Sequence, residues 1–72
     1  MKFDVILYGL ADGMAAAQLQ MSVQSIKGVD YCLCNHNASR MTVECADDQY
    51  AVVQPQIVAA VKQCAPNVEP KF

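Results

Sequence analysis

The chain has 72 residues, of which 54% are hydrophobic and 17% are charged. Its five Lys or Arg and seven Asp or Glu give a net charge of −2. This length accommodates one domain over residues 1–72, and the hydrophobic content excludes intrinsic disorder. The scattered cations form no basic stripe, which excludes a nucleic-acid partner, and no apolar run is long enough for membrane insertion. Asp4 interrupts the apolar stretch that a signal peptide requires, so we expect a cytoplasmic protein.

The first two elements are a strand and a helix. Residues 3–9 alternate between apolar and outward-facing positions, which predicts a strand with one face inward. Asp12 is a residue type that caps helix N-termini, and apolar residues then recur at helical spacing as far as Lys27. Gly28 stands where a left-handed C-terminal cap belongs, so the sequence predicts a helix between Asp12 and Gly28.

A hairpin follows the first helix. Residues 29–35 and 40–45 read as strands, and the Asn-rich segment between them is typical of a turn. A turn centred on Asn37-Ala38 predicts that Cys34 lies opposite Met41 and Cys32 opposite Val43.

The remaining residues predict a second helix and a short edge strand. Pro55 suits the first turn of a helix, where its missing N–H costs nothing, and Pro66 ends that helix. Residues 67–72 predict a final strand at a sheet edge, since they contain Pro70. The order βαββαβ predicts an α+β ferredoxin-like sandwich, with a four-stranded antiparallel sheet and two helices on one face.

Four cysteines occupy apolar or strand-like surroundings: Cys32, Cys34, Cys45 and Cys64. A disulfide framework belongs to secreted chains, and the Cys-x-Cys spacing is not the Cys-x-x-Cys of zinc and redox sites. Free Cys behaves as a small hydrophobic residue. We therefore expect reduced thiols in the core.

From Gly9 to Cys45 without a gap, the pattern resembles the heavy-metal-associated domain family, which includes copper chaperones. Gly9-Leu10 stands at the Gly-Met of the family's metal loop, and Gly28-Val29 at the Gly-Val that ends its first helix. The resemblance implies the same fold, and it aligns the two metal-binding cysteines of the family with Asp12 and Ala15. Because soft copper ions favour thiolates, the standard site is expected to be lost.

A replacement metal site is the first alternative. The fold brings the first loop, the hairpin and the end of the second helix to one end of the sheet. This makes Asp12, Met14 and His36 candidate ligands for a soft metal such as copper, with Cys34 or Cys64 as further donors. The competing interpretations are a helix cap for Asp12, core packing for Met14 and a solvated turn residue for His36.

The outer face of the sheet is a candidate interface for a protein partner or for self-association. Its apolar residues are Ile6, Tyr8, Tyr31 and Leu33. Exposed apolar patches mark partner surfaces, and Tyr is enriched there. The third strand, with Thr42 and Glu44, is predicted to divide these residues into two pairs.

Three functions remain open. The first is a non-enzymatic binding module that has lost the two-thiolate site and acts through protein interaction. The second is metal binding or transport through the replacement site. The third is a regulatory domain of the same βαββαβ topology that senses a small molecule. An enzyme is not expected, because no pair of titratable groups is placed for acid–base chemistry.

Overall fold

The computed structural model describes all 72 residues, which form one antiparallel sheet with two helices packed on one face. The strands are β1 (Lys2–Tyr8), β2 (Val29–Asn35), β3 (Arg40–Cys45) and β4 (Glu69–Lys71). The helices are α1 (Gly13–Gln24) and α2 (Tyr50–Cys64), and a short 3-10 turn, Asp47–Gln49, precedes α2. The predicted ferredoxin-like βαββαβ sandwich is confirmed.

The sheet has the strand order β2-β3-β1-β4. Cys32 pairs with Val43 and Cys34 with Met41, as the turn between β2 and β3 predicted. β3 also pairs with β1, so β3 separates β2 from β1. A bulge between Val29 and Tyr31 shifts the register at the start of β2.

The core lies between the helices and the inner face of the sheet. Its fully buried residues alternate along the strands and recur at helical spacing along α1 and α2. They include Val5, Leu7, Leu19, Val23, Met41, Val43, Val53, Ile57 and Val61. Each such side chain stabilises the fold by about 1.5–3 kcal/mol relative to its exposed state. No buried side-chain nitrogen or oxygen lacks a hydrogen-bond partner.

Helix α1 begins after Asp12, as the sequence predicted, and ends at Gln24, three residues before the predicted end at Lys27. The Asp12 side chain accepts a hydrogen bond from the Met14 N–H at 2.9 Å, so the predicted N-cap is confirmed. After Gln24 the backbone changes to tighter turns, in which Ile26 N–H bonds to the third residue before it. Gly28 has φ +103° and is therefore left-handed as expected, but it leads into β2 instead of capping the helix.

Helix α2 begins five residues before Pro55, which was predicted to occupy the first turn. Val53 is fully buried, and the Tyr50 ring meets Phe3 edge-on with centroids 4.8 Å apart. These contacts bring residues 50–54 into the helix, and Pro55 lies inside it. The prediction of the helix start was wrong because Pro55 forbids only one backbone hydrogen bond, to Ala51. Tertiary packing outweighs that loss.

Both edges of the sheet are protected against an added strand. At the β2 edge, the side-chain carbonyls of Gln20 and Gln24 accept hydrogen bonds from Cys34 N–H at 2.9 Å and Cys32 N–H at 2.8 Å. The opposite edge strand, β4, has Pro70 at its centre. Proline has no N–H to offer an incoming strand. A partner therefore finds neither β2 nor β4 free for pairing.

Candidate functional site

Three loops meet at the end of the sheet where the family resemblance places the metal loop. The Leu7 N–H donates to Ser39 O at 2.8 Å, and Ser39 Oγ donates to Leu10 O at 3.1 Å. These bonds fasten the hairpin turn to the β1–α1 loop. The segment after α2 lies on the other side of the same loop, where both line a cavity of about 190 Å³.

Asp12 and Ala15 occupy the two positions aligned with the family's cysteines. Asp12 is exposed, and one of its carboxylate oxygens is engaged in capping α1. Ala15 is half-buried and has no donor atom for a metal. The loop thus retains a helix start at this point, but neither position supplies a thiolate.

His36 lies directly over the first turn of α1. A methyl group added to Gly13 would be 3.2 Å from His36 Cε1 and 3.5 Å from each ring nitrogen. The hairpin and the loop are therefore together, as the topology predicted. Met14 follows Gly13 and is 72% exposed, so it is not part of the core.

The donors at this end do not form a complete ligand cluster. No group of three or more His, Cys, Asp or Glu side chains converges anywhere in the chain. Cys64 Sγ lies 3.2 Å from Ser22 Oγ, a contact between the two helices. The set of Asp12, Met14 and His36 stays a prediction.

The four cysteines are free, and all belong to the core or its margin. Cys32 and Cys45 are buried, and Cys34 and Cys64 are half-buried. Burial, together with the nearby Cys34, raises the pKa of the Cys32 thiol to about 12. Burial also raises the pKa of Cys34. Because metal binding requires the thiolate, these shifts disfavour binding at β2.

The small cavity at the loop end was not anticipated from the sequence. Its walls are residues 9–12 and 65–68 with Ala15, and Asp12 supplies the only charged side chain. The sequence signal for this cavity was the turn-forming pair Pro66-Asn67. In the structure, this turn lies beside Gly9. At about 190 Å³ the cavity is smaller than the roughly 300–1,000 Å³ typical of small-molecule sites. This cavity does not favour the sensing alternative, whereas the volume of the open groove between α1 and α2, about 560 Å³, falls within that range.

The outer face of the sheet carries the four predicted interface residues, and all are substantially exposed. The exposed fraction is 37% for Ile6, 51% for Tyr8, 46% for Tyr31 and 49% for Leu33. β3 lies between the two pairs, as predicted. Thr42 Oγ1 donates to Asp4 Oδ1 at 2.8 Å, and Arg40 lies 3.7 Å from the other oxygen of Asp4. The centre of the face therefore has partnered polar groups.

Comparison with solved structures identifies the architecture. The chain superposes on the CopZ metallochaperone with a TM-score of 0.78 and 17% identity, over 99% of this chain and 100% of that one. It superposes on a putative copper-ion-binding protein from Bacillus anthracis with a TM-score of 0.79 and 17% identity, over 99% and 94% of the two chains. The fold is the heavy-metal-associated fold. The yeast copper transporter domain Ccc2a shares this fold, with a TM-score of 0.77 and 13% identity over 99% and 92% of the chains.

The chain shares this fold with proteins to which it is only 13–17% identical. No family profile matches the chain, and no curated protein matches it. Neither helix is long and apolar enough to cross a membrane. The resemblance predicted from Gly9-Leu10, Gly28-Val29 and the apolar pattern is thereby confirmed at the level of fold.

Proposed function

We propose that this chain is a non-enzymatic, metallochaperone-like module that has lost the standard two-thiolate site and acts by binding a protein. The observation that carries the proposal is Asp12. Its carboxylate caps α1 at the position aligned with the first metal-binding cysteine, and Ala15 holds the second position. A single hard oxygen donor is poorly matched to a soft metal ion.

The rest of the molecule supports an interaction role. The core and the N-cap of α1 are intact around the altered loop, so the fold forms without the two thiolates. The outer face exposes two apolar pairs, which is where we place the partner surface. The free cysteines suit a reducing compartment, and we propose the cytoplasm.

The loss of the two-thiolate site is tested by competition for Cu(I). We expect the fully reduced protein to leave Cu(I) with a strong chromogenic chelator. Burial raises the pKa of Cys32 and of Cys34, and the single loop carboxylate is a hard donor, so these groups are poor competitors for the ion. The absorbance of the chelator complex measures the transfer. Sub-micromolar one-to-one binding by the protein would contradict the proposal.

A second candidate is a weaker metal site formed by Asp12, Met14 and His36. The contact between the His36 ring and Gly13 favours it, because Gly13 lies between the other two candidates in sequence. Asp12 accepts its capping bond through Oδ1, which leaves Oδ2 available to a metal, and the Met14 side chain is exposed. Imidazole and thioether donors suit copper.

Substitution of His36 tests this second candidate. We expect His36→Ala to abolish copper binding measured by calorimetric titration, because the imidazole is the strongest donor of the set. Asn37→Ala is the matched control in the same turn and should leave the binding unchanged. Equal affinities for wild type and His36→Ala would remove His36 from the site.

A further inference from the structure

The edge strand β2 has a sequence that favours pairing with another strand. Its residues Val29–Asn35 include no proline, no glycine and a single charged side chain, Asp30. Short segments of β-forming residues with little charge are the ones that pair with copies of themselves. The opposite edge strand avoids such pairing with Pro70, whereas the bulge of β2 affects only its first residues. Protection of the rest of β2 must therefore come from outside the strand.

Two glutamines of α1 supply that protection by bonding to the backbone of β2. Cys32 N–H donates to Gln24 Oε1 at 2.8 Å, and Cys34 N–H donates to Gln20 Oε1 at 2.9 Å. The Gln24 amide also donates through Nε2 to Asp30 O at 3.3 Å. This amide thus bonds to N–H and C=O groups on both sides of one β2 residue. A residue of an added parallel strand would make the same two bonds with its own C=O and N–H.

The spacing of the two glutamines matches the spacing of the strand. Gln20 and Gln24 are four residues apart on one face of α1, which separates them by about 6 Å along the helix axis. Cys32 and Cys34 are two residues apart, which separates them by about 6.7 Å along β2. Each amide therefore meets one N–H group of the edge. Gln18 lies on the same helix but is exposed to solvent.

We propose that Gln20 and Gln24 form an edge cap, which occupies the place of a fifth strand and keeps β2 from pairing with β2 of a second copy. The strand is complementary to itself. An antiparallel pair with a twofold axis at Cys32 would set Tyr31 of each copy opposite Leu33 of the other. Both side chains are about half exposed, and opposite side chains of a strand pair are close enough for contact. The edge cap does not depend on the proposed function, because it involves no residue of the metal loop.

Hydrogen exchange at micromolar concentration tests the bonds of the edge cap. In Gln20→Ala with Gln24→Ala, the amides of Cys32 and Cys34 should exchange about tenfold faster than in wild type, because both N–H groups then face water. Each single variant should release only its own partner, Cys32 for Gln24→Ala and Cys34 for Gln20→Ala. Gln18→Ala is the matched control on the same helix and should exchange as wild type does. Unchanged exchange in the alanine variants would overturn the proposal.

Sedimentation at millimolar concentration tests whether the edge cap excludes a second copy. The weight-average mass of the double alanine variant should rise from 7.8 kDa toward twice that value. Wild type and Gln18→Ala should associate at least about tenfold more weakly. The amides of Cys32 and Cys34 should regain protection as the double variant associates, since carbonyls of the second strand replace the glutamines. A double variant that stays monomeric, or that associates without protection at β2, would overturn the proposal.

A glutamate pair separates the hydrogen bonds from the bulk of the side chains. In Gln20→Glu with Gln24→Glu, each carboxylate still accepts a bond from its N–H group. The amides of Cys32 and Cys34 should therefore stay protected at micromolar concentration, and the protein should stay monomeric. Thermal unfolding reports whether each variant is folded. Exchange as fast as in the folded alanine variant would show that acceptance of these bonds is not what protects the edge, and would overturn the edge cap.

Discussion

Substituting cysteine for Asp12 and Ala15 together should create a Cu(I) site in this chain. The two positions lie three residues apart at the start of α1, and the loop that precedes them is fastened to the hairpin through Ser39. Two thiolates one turn apart are soft donors that suit Cu(I). We expect affinity to rise by at least about 4 kcal/mol, or on the order of a thousandfold. Competition against the same chromogenic chelator measures the gain.

The controls for this variant separate the thiolates from other effects. Asp12→Ser with Ala15→Ser keeps a capping side chain at position 12 and supplies no thiolate, so it should behave as wild type. Loss of the Asp12 cap in the cysteine variant should cost about 1 kcal/mol of folding stability, which thermal unfolding reports. A folded double-cysteine variant that binds no better than the serine control would show that the loop no longer has the geometry of a metal site.

Alkaline pH should destabilise the protein through Cys32. Below about pH 9 the thiol is protonated in both states, and its contribution to stability is fully present. Between the ordinary value of 9.0 and the folded-state pKa of about 12, the unfolded chain ionises while the folded protein keeps its proton. The free energy of unfolding should therefore fall by about 1.4 kcal/mol for each pH unit in this window.

Urea unfolding under reducing conditions measures this slope. Cys32→Ala removes the titrating group, so its stability should depend less steeply on pH even though the cavity lowers it at neutral pH. Every other ionisable group is present in both proteins. The difference between the two slopes therefore isolates Cys32. Equal slopes would contradict a strongly raised pKa.

Local sequence patterns predicted most of the fold. Alternating apolar residues in β1 and β3, and the turn between Asn35 and Arg40, determined which side chains face inward and how β2 pairs with β3. The helix cap at Asp12 was also predictable, because capping depends on residues only two positions apart. The absence of cysteine at positions 12 and 15 is a matter of residue identity, and the resemblance aligned these two positions with the family's metal-binding cysteines.

The ends of the helices were decided by contacts between distant segments. Pro55 suggested a helix start, yet the burial of Val53 and the contact of Tyr50 with Phe3 extended α2 toward its N-terminus. Phe3 is 47 residues away from Tyr50, so no local pattern contains this information. Packing energies of a few kcal/mol outweigh the single backbone bond that Pro55 removes.

The sequence by itself determined the topology, the inward faces of the strands and the absence of thiolates at positions 12 and 15, because these depend on periodicity and residue identity. Only the tertiary structure placed His36 over Gly13 and set Gln20 and Gln24 against the β2 edge. These features depend on distances between elements, which the chain acquires only when hydrophobic burial packs the helices against the sheet.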